Sequence, residues 1–140
     1  MYQLSSRSRN NLAGVNPLLI DIIEEAIIDC PFDFGIPSSG GHRTADEQND
    51  LYKKGKSKCD GYNKISYHQS GNAFDIYAYV DGKASWKLEH LIPIGKHIMK
   101  VAEECFDTKL RWGADWNQNG ILVYNDKEES FMDAPHFELR

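Results

Sequence analysis

Cysteine is scarce in this 140-residue chain: Cys30, Cys59 and Cys105 are odd in number, far apart and without the paired spacing of a metal finger. A disulfide framework is therefore not expected, which points to synthesis in a reducing compartment. Cys30 and Cys105 end apolar helical patterns and are expected to be buried thiols, whereas Cys59 falls in a polar, accessible loop. Long apolar runs are missing too. No segment is long and apolar enough to cross a bilayer, and Met1 to Asn11 is polar, without a signal-peptide core. Membrane insertion is thus not expected. Positive charge is also in short supply: the formal net charge is -5 and no Lys/Arg run forms a phosphate-binding stripe, which gives no support for nucleic acid as a partner. Repeats, linkers and low-complexity tracts are absent, and the length suits one domain over 1–140 with its own core, not two.

What is present divides into scaffold and chemistry. Asn16-Pro17 is a helix start, followed by Leu18, Leu19, Ile22, Ile23, Ala26 and Ile27 at helical spacing until Cys30-Pro31. Phe34 to Ser38 reads as a short strand. Thr44-Ala45-Asp46-Glu47 is a capping box opening a helix to about Lys54, with Gly55 as terminator, so Arg43 sits on a fixed corner. From Ala73 the chain alternates as one strand, with Phe74, Ile76, Ala78 and Val80 on one side and Asp75, Tyr77 and Tyr79 on the other. A helix lies within Trp86 to Cys105, its regular part beginning near Pro93 and carrying Ile94, Ile98, Val101, Ala102 and Cys105 inward. Leu110 to Trp112 and Gly120 to Tyr124 are candidate strands around an Asn117–Gly120 turn, and Asp126 to Ser130 is a charged loop. Pro135 to Leu139 is a last strand that puts His136 and Glu138 on one face and Phe137 on the other. The sum is an α+β domain with helices packed on a small antiparallel sheet.

Four residues carry the chemistry. His68, Asp75 and His136 supply two imidazoles and a carboxylate, a set that holds zinc and leaves a position open for water. Asp133 adds a second carboxylate able to take that water's proton. Gly71 and Ala73 suit a close approach of backbone segments, and a strand aspartate aimed away from the core needs a partner. Against this, a solvated strand face explains Asp75 equally well by spacing alone. His42, His90 and His97 are not assigned to a metal.

Ser66-x-His68-x-x-Gly71-x-Ala73-x-Asp75, followed by Asp133-x-Pro135-His136-Phe137-Glu138, resembles the zinc D-Ala-D-Ala carboxypeptidase and L-alanyl-D-glutamate endopeptidase family, nearest its bacteriophage lysins. The resemblance extends through Asn11-Leu12-x-Gly14-Val15-x-Pro17, Ser39-Gly40-Gly41-His42-Arg43-Thr44 with Glu47-Gln48, and Trp112-Gly113-Ala114-Asp115-Trp116. Ala114 departs from the second glycine common in those lysins. The resemblance implies a hedgehog/D-Ala-D-Ala-peptidase-like fold and one zinc per chain on His68, Asp75 and His136. It also implies Asp133 as the catalytic carboxylate and Arg43 as a catalytic or substrate-binding cation. Glu138 is placed to orient His136 from behind. Gln48, Ser66, Asp115, Trp112 and Trp116 are candidates for substrate contact. For Trp112 the core is an equal alternative, and Asp115 is as well suited to bracing its loop.

The implied activity is hydrolysis of a peptide bond in bacterial peptidoglycan stem peptides, between L-alanine and D-glutamate, by a phage or prophage endolysin. Two other readings remain open here: a D-alanyl-D-alanine carboxypeptidase of the same fold, and a non-catalytic zinc-containing cell-wall binding module. A monomer is expected that accumulates in the host cytoplasm without a signal peptide. It would reach peptidoglycan once a separate lysis protein breaches the membrane.

Overall fold

The Thr44 capping box forms as expected: its hydroxyl accepts from the Glu47 amide while the Glu47 carboxylate accepts from the Thr44 amide. The chain is described here from a computed structural model, over residues 1–120, 122–123 and 132–139. Its helices are α1 (Ser6–Asn11), α2 (Pro17–Ile28), α3 (Ala45–Lys53) and α4 (Leu88–Phe106); a 3-10 turn spans Tyr67–Ser70. The strands are β1 (Asp33–Gly35), β2 (Ala73–Asp75), β3 (Tyr77–Val80), β4 (Lys83–Ser85), β5 (Arg111–Trp112) and β6 (His136–Glu138). Asn16 caps α2 through its side chain, with Pro17 at the first helical turn. α2 buries Leu19, Ile22, Ile23, Ala26 and Ile27 against the apolar stripe of α4, giving the core its largest helix–helix contact.

The expected α+β class holds, with two small antiparallel sheets in place of one: β1-β3-β4 and β2-β6-β5. The alternating stretch from Ala73 is divided between them. Ile76, fully buried, separates β2 from β3, and its amide donates to the Pro135 carbonyl at 3.0 Å. Alternation of buried and outward residues survives this change of sheet, which is why the pattern reads as a single strand. β1 covers Asp33–Gly35, so it begins a residue earlier than expected and stops short of Ser38.

Three further expectations are corrected. α4 begins at Leu88, with Pro93 inside it. The proline removes one main-chain bond in the second turn, and burial of Leu91, Ile94 and Ile98 on either side of it offsets that loss. Cys105 is exposed, on the outer side of the last turn of α4, whose Phe106 packs against the core; Cys30 is buried as expected, and all three thiols are free. α1 was not anticipated. It is capped by Ser5, which accepts from the Ser8 amide, and the buried Ser8 hydroxyl in turn accepts from Ile36. The turn expected at Asn117–Gly120 lies slightly earlier, over residues 115–118, closed by the Gln118 amide on the Asp115 carbonyl, with a bend at 119–120. Of the candidate Gly120–Tyr124 strand, Leu122 is irregular and Val123 donates to the Ala114 carbonyl; Ile121, Tyr124 and the charged loop Asp126–Ser130 lie outside the described residues.

Candidate metal centre and cleft

One strand register builds the site. β6 is the central strand of its sheet, with Asp75 opposite His136, Phe74 and Trp112 flanking Phe137, and Arg111 and Ala73 flanking Glu138. Directly paired residues share a face, and successive residues alternate. Phe74, Phe137 and Trp112 therefore stack beneath the sheet, at ring separations of 5.1 and 5.8 Å. Asp75, His136, Glu138 and Arg111 stand on the opposite face.

His68 arrives from the 3-10 turn, whose start is fixed by a reciprocal Ser66–Gln69 cap and whose end is Gly71 at φ 77°. Gly71 is needed on two counts. Its φ disfavours other residues, and a Cβ there would run into the Gly14 carbonyl. The close backbone approach read from the motif is thus present, sealed by the Asn16 amide on the Gly71 carbonyl at 2.8 Å.

Hydrogen bonds define both imidazoles. His68 Nδ1 lies 2.9 Å from the Gly41 carbonyl, which can only accept, so Nδ1 carries the hydrogen and Nε2 presents a lone pair. His136 Nε2 lies 2.8 Å from Glu138 Oε1, so Nε2 carries the hydrogen and Nδ1 presents the lone pair. Those two lone-pair nitrogens are 3.3 Å apart, and Asp75 Oδ1 lies 3.3 Å from one and 3.0 Å from the other. Three acceptors thus face one another, a repulsive arrangement that a shared cation relieves. The set fits a metal ion, and among the described residues it is the cluster whose ligand atoms converge, within 4.8 Å of one another. Without a metal, a proton is the substitute. Burial opposes a charge on His136, but bonds to Asp75 and Glu138 overcome it and push its pKa to about 10. Burial likewise opposes the charged form of Asp75, and His68 and His136 outweigh it, holding the carboxyl well below its ordinary range.

Asp75's second oxygen is claimed by Arg43, whose Nη2 donates to Oδ2 at 3.1 Å. Arg43 is fixed on every side. Its Nε donates to the Ser39 carbonyl, its Nη1 to the buried Gln48 side chain, and its amide to the His68 carbonyl. Gln48 passes the connection onward by donating to Ser57 Oγ and the Cys59 carbonyl. Its contacts are with Arg43 and the loop after α3, behind the cleft wall.

Asp133 approaches from the far side. As the motif spacing suggests, a turn through Ala134-Pro135 leads it into β6, with the His136 amide donating to the Asp133 carbonyl at 3.0 Å. Gly113 holds it there: the Asp133 amide donates to the Gly113 carbonyl at 2.8 Å, and a Cβ on Gly113 would collide with the Asp133 carbonyl. Burial, and then the charge on Asp75, raise the Asp133 pKa above its ordinary value, against the pull of His136, His68 and Arg43. A carboxyl poised in this way can both accept and return a proton.

Arg43, Ser66, His68, Asp75, Trp116, Asp133, His136 and Glu138 line a single open cleft of about 530 Å³. Trp116 packs its ring 5.3 Å from that of His136, beneath the Arg111 guanidinium. Trp112 and Asp115 do not line it. Trp112 is core, with its indole donating to the Ala134 carbonyl, and Asp115 accepts from the amides of Asn119 and Gly120, bracing the turn. Residues not anticipated complete the walls: Lys56, Lys58, Lys64, Ile65, Tyr67 and Arg111. Arg111 was legible in principle, since it alternates with the inward Trp112 on β5.

Comparison with known proteins agrees with this geometry. The sequence matches the phage L-alanyl-D-glutamate peptidase family over residues 1–140. It is 32% identical to the L-alanyl-D-glutamate peptidase of Escherichia phage T5, covering 99% of this chain and 98% of the relative. Its structure resembles that of the Serratia marcescens L-Ala D-Glu endopeptidase ChiX, with a TM-score of 0.77 and 27% identity, over 99% of this chain and 90% of the other. With a match from end to end and a converging His–Asp–His cluster beside a second carboxylate, this chain belongs to the phage L-alanyl-D-glutamate peptidase family.

Proposed function

We propose that the chain is a zinc endopeptidase that cuts the L-alanyl–D-glutamate bond of peptidoglycan stem peptides, with residues 1–140 forming the catalytic unit. The observation that carries this reading is the meeting of three metal-seeking atoms, on His68, Asp75 and His136, with Asp133 in one open cleft. The two-nitrogen, one-oxygen donor set favours zinc, and the three donor atoms already stand 3.0–3.3 Å from one another, close enough to share one ion. When bound there, zinc supplies Lewis acidity to a water and to the scissile carbonyl.

The protein's own groups do the rest. Asp133 takes the proton of the attacking water and delivers it to the departing amine, a role helped by its raised pKa. Glu138 holds His136 by the Nε2 hydrogen, keeping Nδ1 free to ligate. Arg43 grips Asp75 by Oδ2, and its charge, on the cleft wall, offsets the negative charge that develops on the substrate. Trp116 and Ser66 line the approach to the metal ligands. The enzyme works as a monomeric endolysin, meeting its substrate once the host membrane has been breached by a separate lysis protein.

The test is digestion of defined stem peptides by zinc-loaded protein. Cleavage after L-alanine is expected, and release of free D-alanine alone would instead identify a carboxypeptidase. Asp133→Ala is expected to keep its zinc while losing about 10²- to 10⁴-fold in kcat, the usual worth of a general acid–base group. Unchanged cleavage would remove Asp133 from the mechanism.

A further inference from the structure

The segment between α3 and the 3-10 turn concentrates charge that the catalytic groups do not use. Lys53, Lys54, Lys56, Lys58 and Lys64 fall within twelve residues, in a chain whose formal charge is -5. Asp60 is the acidic residue among them, and its carboxylate is occupied by the amides of Tyr62, Asn63 and Lys64. Lys56, Lys58 and Lys64 line the cleft that holds the metal ligands.

Their backbone is held in place. The Lys56 amide donates to the Leu51 carbonyl, the Lys64 carbonyl accepts from Gly61, and Gln69 donates to the Gly61 carbonyl. Gln48 ties Ser57 and Cys59 of this segment to Arg43, and through Arg43 to Asp75. The lysines therefore stand at defined positions relative to the metal ligands.

The cleft holds three carboxylates, on Asp75, Asp133 and Glu138. Its two arginines are already engaged, Arg43 with Asp75 and Arg111 with Glu138 at 3.7 Å. Lys56 and Lys64 are exposed and have no acidic partner among the described residues, so their charge is available to a ligand. A D-glutamyl residue within a peptide has one carboxyl in the onward bond and one left free. That anion lies next to the bond to be cut, where a cation on the cleft wall can reach it.

Resting on the endopeptidase reading above, we propose that Lys56 and Lys64 form a carboxylate-reading wall that selects stem peptides whose glutamyl carboxylate is free over those in which it is amidated.

The experiment compares zinc-loaded wild type with Lys56→Gln, Lys64→Gln and the double variant on two stem peptides, one with the free carboxylate and one with its carboxamide. Wild type is expected to favour the free carboxylate about tenfold in kcat/KM, through KM. The double variant is expected to lose about five- to tenfold on that peptide with kcat retained, while changing less than about twofold on the amide, as suits two exposed ion pairs. Lysine-to-arginine variants are expected to restore the preference. Zinc content and melting temperature serve to show that the variants are folded. Equal cleavage of both peptides by wild type, or equal loss on both by the variants, overturns the lysine assignment alone. Failure of wild type to cut either peptide after L-alanine overturns the endopeptidase reading and this assignment together.

Discussion

The two faces of the β2-β6-β5 sheet are built from the same three strands and the same register, yet they respond to physical constraints of opposite kinds. Beneath, Phe74, Phe137 and Trp112 form a stacked apolar layer in which any well-fitting volume serves. Above, Glu138 holds His136 by a directional bond of 2.8 Å, and Asp75 stands 3.0 Å from the opposite ring nitrogen, so each atom has a specified neighbour. One face supplies stability through area, the other supplies chemistry through orientation. The contrast teaches that changes above are read first in metal binding and cleavage, whereas loss of volume below is read first in stability.

The sharpest way to break this contrast is His136→Ala. It is expected to abolish zinc binding and cleavage, with metal content falling from one per chain to none, while circular dichroism still reports a folded protein. An unfolded variant would show that the upper face carries stability as well. From below, Phe137→Ala is expected to cost about 3–5 kcal/mol in denaturant unfolding, as large aromatic truncations do in closed cores. A loss under 1 kcal/mol would mean that the layer is not the sheet's support.

Glu138→Gln probes the boundary between the faces, since it keeps the shape of the side chain and removes its charge. Zinc affinity is expected to fall about 10- to 100-fold, read by competition with a chelator. The smallest effect concerns pH. In metal-free protein the His136 pKa is raised to about 10, so its protonation contributes stability that is complete below the unfolded value near 6.5 and is lost as pH rises through 10. The melting temperature of metal-free protein is expected to decline over that window, and that of zinc-loaded protein to hold, because the metal replaces the proton. Parallel curves would contradict the lone-pair geometry.

How much of this was legible beforehand depends on the range of each signal. Local signals translated directly: the Asn16-Pro17 start, the Thr44 capping box and the His136/Glu138 alternation each act within four residues, and each appears as expected. His68, Asp75, His136 and Asp133 were legible as a motif, and the structure brings them into one cleft. Signals that depend on tertiary context failed. Nothing local says that the alternation from Ala73 to Val80 changes sheets at Ile76, or that Cys105 falls on the outer side of α4. Nor could propensity reveal that α4 tolerates Pro93, since burial on both sides of it decides the matter. Trp112 turned inward, as the core alternative required. The lysine wall was missed because a lysine-rich loop looks like ordinary solvated surface until the fold lays it beside the metal ligands.

Gln48 sits at the junction between Arg43 and the lysine-bearing segment. Its amide grips Arg43 on one side and two points of the lysine-bearing segment on the other. A change at Gln48 would therefore be felt at two places at once, the seat of Arg43 and the path of the chain from Ser57 to Cys59.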